Sequence, residues 1–279
     1  MSNNESSHFT CSGFSSAPFL SACLLIIFCL GGMSTPAVAA APSAASKLLQ
    51  VDDKLEHAFE LKDAFRDEEA LEAFVLVLEE DETHFEALWN VVMLHTSIGY
   101  RQSRSRDMEA HYESAFEYAR RLIDAHPDRA GAHFAYAAAV GRKAQSVGAR
   151  ERLRLSTEIR EHAEKAVELD PEYSRAWNVL GNWHHRAANL SRLERLAANA
   201  LFGGAPEGAS NDTAREAFRK ALEIDSHFIL YYHDKAEFLL TIGEEAEAER
   251  VLRQGLEQEI VTSDDELWKE NMRELLADL

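Results

Sequence analysis

Cysteine is nearly absent from this chain of 279 residues: the three present, Cys11, Cys23 and Cys29, all precede residue 30. Beyond them no disulfide, thiolate nucleophile or Cys-ligated metal is available. Thirteen glycines and six prolines are too few for a collagen-like or low-complexity chain. Basic residues are also scarce, with Lys+Arg 29 against Asp+Glu 48 and a formal charge of −19. A general nucleic-acid binder would usually be basic, so no nucleic-acid partner is expected. What remains, 46% hydrophobic and 28% charged residues, fits a soluble, helix-rich protein.

The first forty-six residues hold no Lys or Arg, and Glu5 is their only acid. Ala17–Met33 is mostly apolar, and Ala37-Val38-Ala39 has the small-x-small form of a signal-peptidase site. Residues 1–39 therefore read as an export leader, with 40–50 as a small-residue linker and a periplasmic or cell-envelope location for the rest. The segment lacks the usual positive start, so other readings stay open. One is a retained anchor, although the run falls short of the roughly 20 residues needed to span a bilayer. Another is lipidation at Cys23. A third is translation from Met33, which would leave the protein cytoplasmic.

Internal periodicity is the strongest signal after residue 50. Trp177, Leu180 and Gly181 follow Pro171 in the pattern of a tetratricopeptide (TPR) first helix, and Ala163 and Ala166 close the unit before it. Trp89 opens an earlier unit, with Ala115, Ala119 and Leu122 leading to Pro127. The predicted fold is all-α: a TPR-like right-handed superhelical solenoid of antiparallel helix pairs spanning 51–279. Its units run about 51–85, 86–129, 130–173, 174–228 and 229–261, with a capping helix at 262–279. Small residues sit where helices cross and large ones fill the gaps; each unit buries its apolar face only by stacking. Trp89 and Trp177 read as equivalent core positions, not ligand contacts.

Pro127 to Pro171 spans 44 residues and Pro171 to Ser226 spans 55, against a standard unit of about 34. The first excess lengthens the unit's second helix backwards through Arg150. The second is an insertion at 189–211, helical from Leu190 to Phe202, stopped by Gly203-Gly204 and followed by a helix capped by Asn211 or Asp212. Ser263-Asp-Asp-Glu266 has the form of a capping box for the last helix.

Gly181-Asn-Trp183, Leu190-Ser-Arg-Leu193-Glu and Ala200-Leu-Phe-Gly203 ahead of a proline resemble the regulator of microtubule dynamics protein family. The resemblance covers Val51 to Gln258. It implies an all-helical, TPR-like adaptor without catalytic residues. Eukaryotic members are associated with microtubules or with lipid and organelle contacts.

Two surfaces stand out as candidate sites. Residues 51–100 carry 14 acidic and 3 basic residues, whereas 101–160 carry 8 and 12. The basic cluster, Arg101, Arg104, Arg106, Arg142, Lys143, Arg150, Arg152 and Arg154, falls in two inter-helix turns that should adjoin as one basic edge. Such an edge would dock an acidic partner or a lipid headgroup in peripheral membrane contact, or else help units stack by complementary charge. The second surface is the concave groove, where repeat register places Asn90, Leu94, Phe134, Ala138, Asn178, Asn182, His185, Arg186, His233 and Glu237. Its Asn side chains donate and accept, as an extended peptide ligand requires. No first-helix Lys stands at the spacing of a two-carboxylate clamp. His184 and His185 point about 100° apart on a helix and do not suit one metal ion. No phosphate loop, dinucleotide fingerprint, Gly-x-Ser-x-Gly or His-Glu-x-x-His occurs. No enzyme activity, cofactor or metal is expected, partly because a solenoid should offer open grooves rather than closed pockets.

Overall fold

The computed structural model describes residues 44–202 and 208–279. The leader read at 1–39 and the stop at Gly203-Gly204 lie outside the described residues. Every regular element described is helical: α1 (Ala44–Asp63), α2 (Asp67–Leu78), α3 (Phe85–Tyr100), α4 (Ser105–Ala125), α5 (Ala130–Lys143), α6 (Ala149–Leu169), α7 (Ser174–Ala188), α8 (Arg192–Phe202), α9 (Asn211–Ile224), α10 (Ile229–Thr241), α11 (Glu245–Glu257) and α12 (Asp265–Ala277). The first of these begins at Ala44, inside the segment read as linker.

Five pairs stack in order, α1/α2, α3/α4, α5/α6, α7/α9 and α10/α11, so the fold is the TPR-like solenoid read from the sequence. The last helix covers α10 and α11, while the inserted α8 leans on α6. Small residues allow the close crossings. A Cβ on Gly181 would lie 2.7 Å from the Phe218 ring, and one on Gly255 would lie 2.6 Å from Tyr232. Ala58, Ala87, Ala115, Ala163, Ala214 and Ala248 are fully buried along the same seam. Large side chains fill the spaces between them: Phe74, Leu88, Leu122, Phe218, Leu239 and Leu252 are also fully buried, each worth about 1.5–3 kcal/mol of transfer free energy.

The turns that open the units fix the register. Asp81, Asp170 and Asp225 each accept, through Oδ1, the backbone N–H two residues on, at 3.0 Å in all three. This side-chain-closed turn delivers the chain into the next helix at a constant phase. His126 takes the place of the Asp before α5 and meets the Thr83 carbonyl through Nε2 at 2.6 Å. Counted from these turns, Trp89 matches Phe134, Asn178 and His233, whereas Trp177 matches Leu88. The two tryptophans are therefore not equivalent, and aligning them shifts one unit by a residue. Trp177 packs on the middle of the stack and donates its indole N–H to the Pro171 carbonyl at 2.8 Å.

Helix ends follow local chemistry, with two departures from expectation. Ser210 caps α9 by accepting from Thr213 N–H at 3.0 Å, in place of Asn211 or Asp212. The capping box expected at 263–266 does not form, because Ser263 and Asp264 are drawn to the far end of the molecule. Asp265 instead accepts from the N–H groups of Val261 and Thr262. A reciprocal box does form at Ser191 and Glu194, where each side chain accepts from the other residue's N–H. It starts α8 and holds the Glu194 carboxyl below its ordinary pKa through those Ser191 bonds.

Histidine couples join two of the pairs. Nδ1 of His95 on α3 lies 3.0 Å from Nδ1 of His111 on α4, and Nδ1 of His133 on α5 lies 3.0 Å from Nδ1 of His162 on α6. In each couple the Nδ1–H of one neutral ring can donate to the bare Nδ1 of the other. Burial first, and then the neighbouring His111, lowers the His95 pKa to about 4. A depressed histidine pKa favours the neutral ring in the fold. This contribution is complete above about pH 6.5, the unfolded value, and is lost as pH falls towards 4. Urea titrations of the His95→Gln variant should lose on the order of 2 kcal/mol less stability than wild type between pH 7 and pH 4.5. Equal losses in the two proteins would show that His95 does not carry the effect.

Candidate functional site

The first helices of the pairs wall a cavity of about 1380 Å³, larger than the roughly 300–1,000 Å³ of small-molecule pockets. Repeat register produces its lining. Trp89, Phe134, Asn178 and His233 form one row; one helical turn on lie Met93, Ala138, Asn182 and Glu237; a turn further lie Ser97, Arg142, Arg186 and Thr241. Every residue read as groove-facing from the sequence lines the cavity: Asn90, Leu94, Phe134, Ala138, Asn178, Asn182, His185, Arg186, His233 and Glu237. Trp89, assigned to the core by the false match with Trp177, lines it too. So do Lys62 and Arg175, which the sequence reading missed; counting from the Asp81 and Asp170 turns would have recovered Trp89 and Arg175.

The two ends of the array are tied together across the groove. Arg101, at the end of α3, donates from Nη2 to Asp67 and from Nη1 to Asp264, both at 2.5 Å. Ser97 donates to Asp264 and Ser263 to Asp67. The Tyr100 ring stacks on Trp268 of α12 with centroids 4.8 Å apart and planes 18° from parallel, and the Arg142 guanidinium lies 4.7 Å from the Tyr100 centroid. Asp67 is only 3% exposed, so these donors neutralise a buried carboxylate. The insertion contributes a further stretch of wall through Leu190, Glu194 and Ala198.

The basic edge does not assemble as one patch. Arg101 is consumed by the tie between the ends, while Arg142 and Arg152 line the cavity. Arg152 also donates to the carbonyls of Ala144 and Val147, closing the end of α5. Lys143 pairs with Glu113 at 2.9 Å, and Arg154 pairs with Glu151 and Glu158. Arg104, Arg106 and Arg150 are exposed and make no ion pair among the described residues. Of the eight, only Arg101, Lys143 and Arg154 pair with acids among the described residues, and the partners of Arg154 lie on its own helix α6.

Polar groups gather on the wall formed by α7 and α10. Asn178 and Asn182 both donate to Oδ2 of Asp234 at 2.6 Å. His233 Nδ1 lies 3.3 Å from Asp234 Oδ1 and 4.0 Å from Glu237, and its ring sits 5.0 Å from that of Trp268. Burial works against its charged form, but the carboxylates of Asp234 and Glu237 outweigh it and raise its pKa. His233, Asp234 and Glu237 bring three potential ligand atoms within 4.8 Å of one another, but all three come from one helix and Asp234 is already saturated by amide donors. His184 takes no part in this group; burial and the nearby Arg160 lower its pKa.

Comparisons with known proteins agree with this architecture. The profile of the family "Regulator of microtubule dynamics protein 1-3" matches residues 48–279. Regulator of microtubule dynamics protein 3 of Rattus norvegicus is 27% identical over 191 residues, covering 67% of this chain and 40% of the relative. Regulator of microtubule dynamics protein 1 of Bos taurus is 26% identical over 187 residues, covering 66% of this chain and 58% of the relative. The matched region thus spans less than two thirds of either relative. Among solved structures, a thermophilic TPR protein of Thermus thermophilus superposes with a TM-score of 0.57 at 19% identity, covering 80% of this chain and 98% of that one; this likeness concerns the fold. The chain has a TPR-like fold, and it belongs to the regulator of microtubule dynamics protein 1-3 family.

Proposed function

We propose that this protein is an adaptor that holds an extended segment of a protein partner inside its concave cavity, acting in the cell envelope after export. The observation that carries this reading is the row-by-row lining of the cavity by first-helix side chains. They alternate aromatic surface with amide and carboxylate groups along one continuous wall. An apolar ligand alone would leave His185, Arg186 and Glu237 on the lining without use, whereas a peptide supplies both side chains and backbone groups. Lipid contact through a basic edge loses its support with the dispersal of that edge.

Filling the cavity tests the proposal. Ala138 lies on the lining and is partly exposed to the cavity, so Ala138→Trp should occupy the space without disturbing the seam behind it. Affinity capture from envelope extract should recover partner proteins with wild type and lose them with Ala138→Trp, while the melting transition stays within a few degrees. Recovery of the same partners by both proteins would place binding elsewhere. For location, sequencing the N-terminus of the mature protein should give Ala40; an intact leader would contradict export by cleavage.

A further inference from the structure

Five cations line the cavity without a salt bridge among the described residues, Lys62, Arg142, Arg152, Arg175 and Arg186, and two of them share one aromatic ring. Lys62, in the last turn of α1, and Arg175, in the first turn of α7, approach the same ring: the Lys62 ammonium is 5.8 Å and the Arg175 guanidinium 5.4 Å from the Trp89 centroid. Arg175 also lies 4.3 Å from the Phe228 centroid. Neither forms a salt bridge among the described residues; Lys62 only donates to Asn90 Oδ1 at 2.9 Å. Two like charges brought together in a partly desolvated site repel each other, and an anion between them would relieve the repulsion. Burial, and next the charge of Arg175, lowers the Lys62 pKa, opposed by Asp63 and Asp67.

A second, independent deficit lies one turn along α7. Asn178 is 4% exposed, and its amide N–H₂ is committed to Asp234. Its Oδ1 is buried on the cavity wall without a hydrogen-bond partner among the described residues. A buried acceptor of this kind is destabilising until a donor reaches it. Arg175, Asn178 and Asn182 share one face of α7 at i, i+3 and i+7, so the cation and the unpaired acceptor lie on one stretch of the cavity wall.

We infer that the cavity selects an acidic peptide segment, seated with a carboxylate between Lys62 and Arg175 beside the Trp89 and Phe228 rings and with a backbone N–H donated to Asn178 Oδ1. This inference rests on the proposed peptide-holding role and specifies its ligand. A phospholipid offers an anion but no backbone amide; the unpaired Asn178 carbonyl is what favours a peptide.

Fluorescence anisotropy with short synthetic peptides tests it, using Glu-rich peptides containing phenylalanine and their Gln isosteres. The full chain should bind the Glu peptides about tenfold or more tightly than the Gln isosteres. The Lys62→Gln/Arg175→Gln protein should lose that preference and bind both weakly. The Arg104→Gln/Arg106→Gln protein, which loses the same charge on the exposed surface, should keep it. Neither Lys62 nor Arg175 anchors the fold through an ion pair, so both double variants should melt as wild type does. If Lys62→Gln/Arg175→Gln fails to fold, the single Arg175→Gln variant gives the same reading. Equal binding of Glu and Gln peptides, or an intact preference without the two cations, would overturn the acidic specificity but leave the peptide-holding role. Binding of no peptide would overturn both. Binding of phosphatidylserine vesicles that depends on Lys62 and Arg175, with no peptide binding, would assign the cations to lipid instead.

Discussion

Arg101→Met should lower the free energy of unfolding by about 2–4 kcal/mol and loosen the two ends of the array from each other. The guanidinium joins Asp67 near the start of the stack to Asp264 at its end. Asp67 is almost wholly buried, and only Ser263 would remain to satisfy it. Removing one partner of such a group leaves a desolvated charge uncompensated, which costs more than the pair itself contributes. The Arg101 side chain keeps some solvent contact, which places the effect below that of a fully buried pair. Equilibrium urea unfolding supplies the measurement. The triple variant Arg101→Met/Asp67→Asn/Asp264→Asn should recover most of the loss, because no carboxylate is then left unpaired. A loss below about 0.5 kcal/mol in the single variant, the scale of an exposed pair, would mean that the tie adds little to stability.

Gly181→Leu tests the seam. A Cβ at this position already falls 2.7 Å from the Phe218 ring, which is fully buried between α7 and α9 and has no room to retreat. The helix itself would gain up to about 1 kcal/mol from losing a glycine. Overpacking against a fixed ring costs about 1–3 kcal/mol and occasionally more, and a leucine carries the larger end of that cost. The expected net result is a loss of about 2–3 kcal/mol. Gly148→Leu serves as the control, since nothing lies within 4 Å of its added Cβ. A Gly181→Leu protein as stable as wild type would refute close packing of α7 on α9.

Much of this was legible in the sequence because the packing is local. Ala163, Ala166 and Gly181 announce helix crossings, and the crossing partners lie within one unit. The groove rows were legible for the same reason, since a helical face is fixed by its phase. The error at Trp89 arose from taking a conspicuous side chain as the marker of phase; the Asp81, Asp170 and Asp225 turns, which set phase through a backbone bond, are the better marker. The tie between the ends was not legible. It depends on small rotations accumulated over five pairs, and no short stretch encodes that Arg101 will meet Asp264. The same long-range contact explains the failed capping box, since Ser263 and Asp264 gain more from Asp67, Ser97 and Arg101 than from their own helix. It also takes Arg101 out of the expected basic edge, since its acids come from α2 and from the segment before α12. Lys62 escaped notice because it lies at the end of α1, outside the segments where groove residues recur.

The central claim is that the first two helix pairs meet α12 and the segment before it across the groove. Paired spin labels at Glu68→Cys and Glu266→Cys, both exposed and flanking the Asp67–Ser263 contact, measure it directly once Cys11, Cys23 and Cys29 are replaced by serine. A single narrow distribution at short distance, spreading to longer distances when Arg101→Met is added, is the expected result. A broad or long distribution in the otherwise unmodified chain would mean an open array, and would contradict the account.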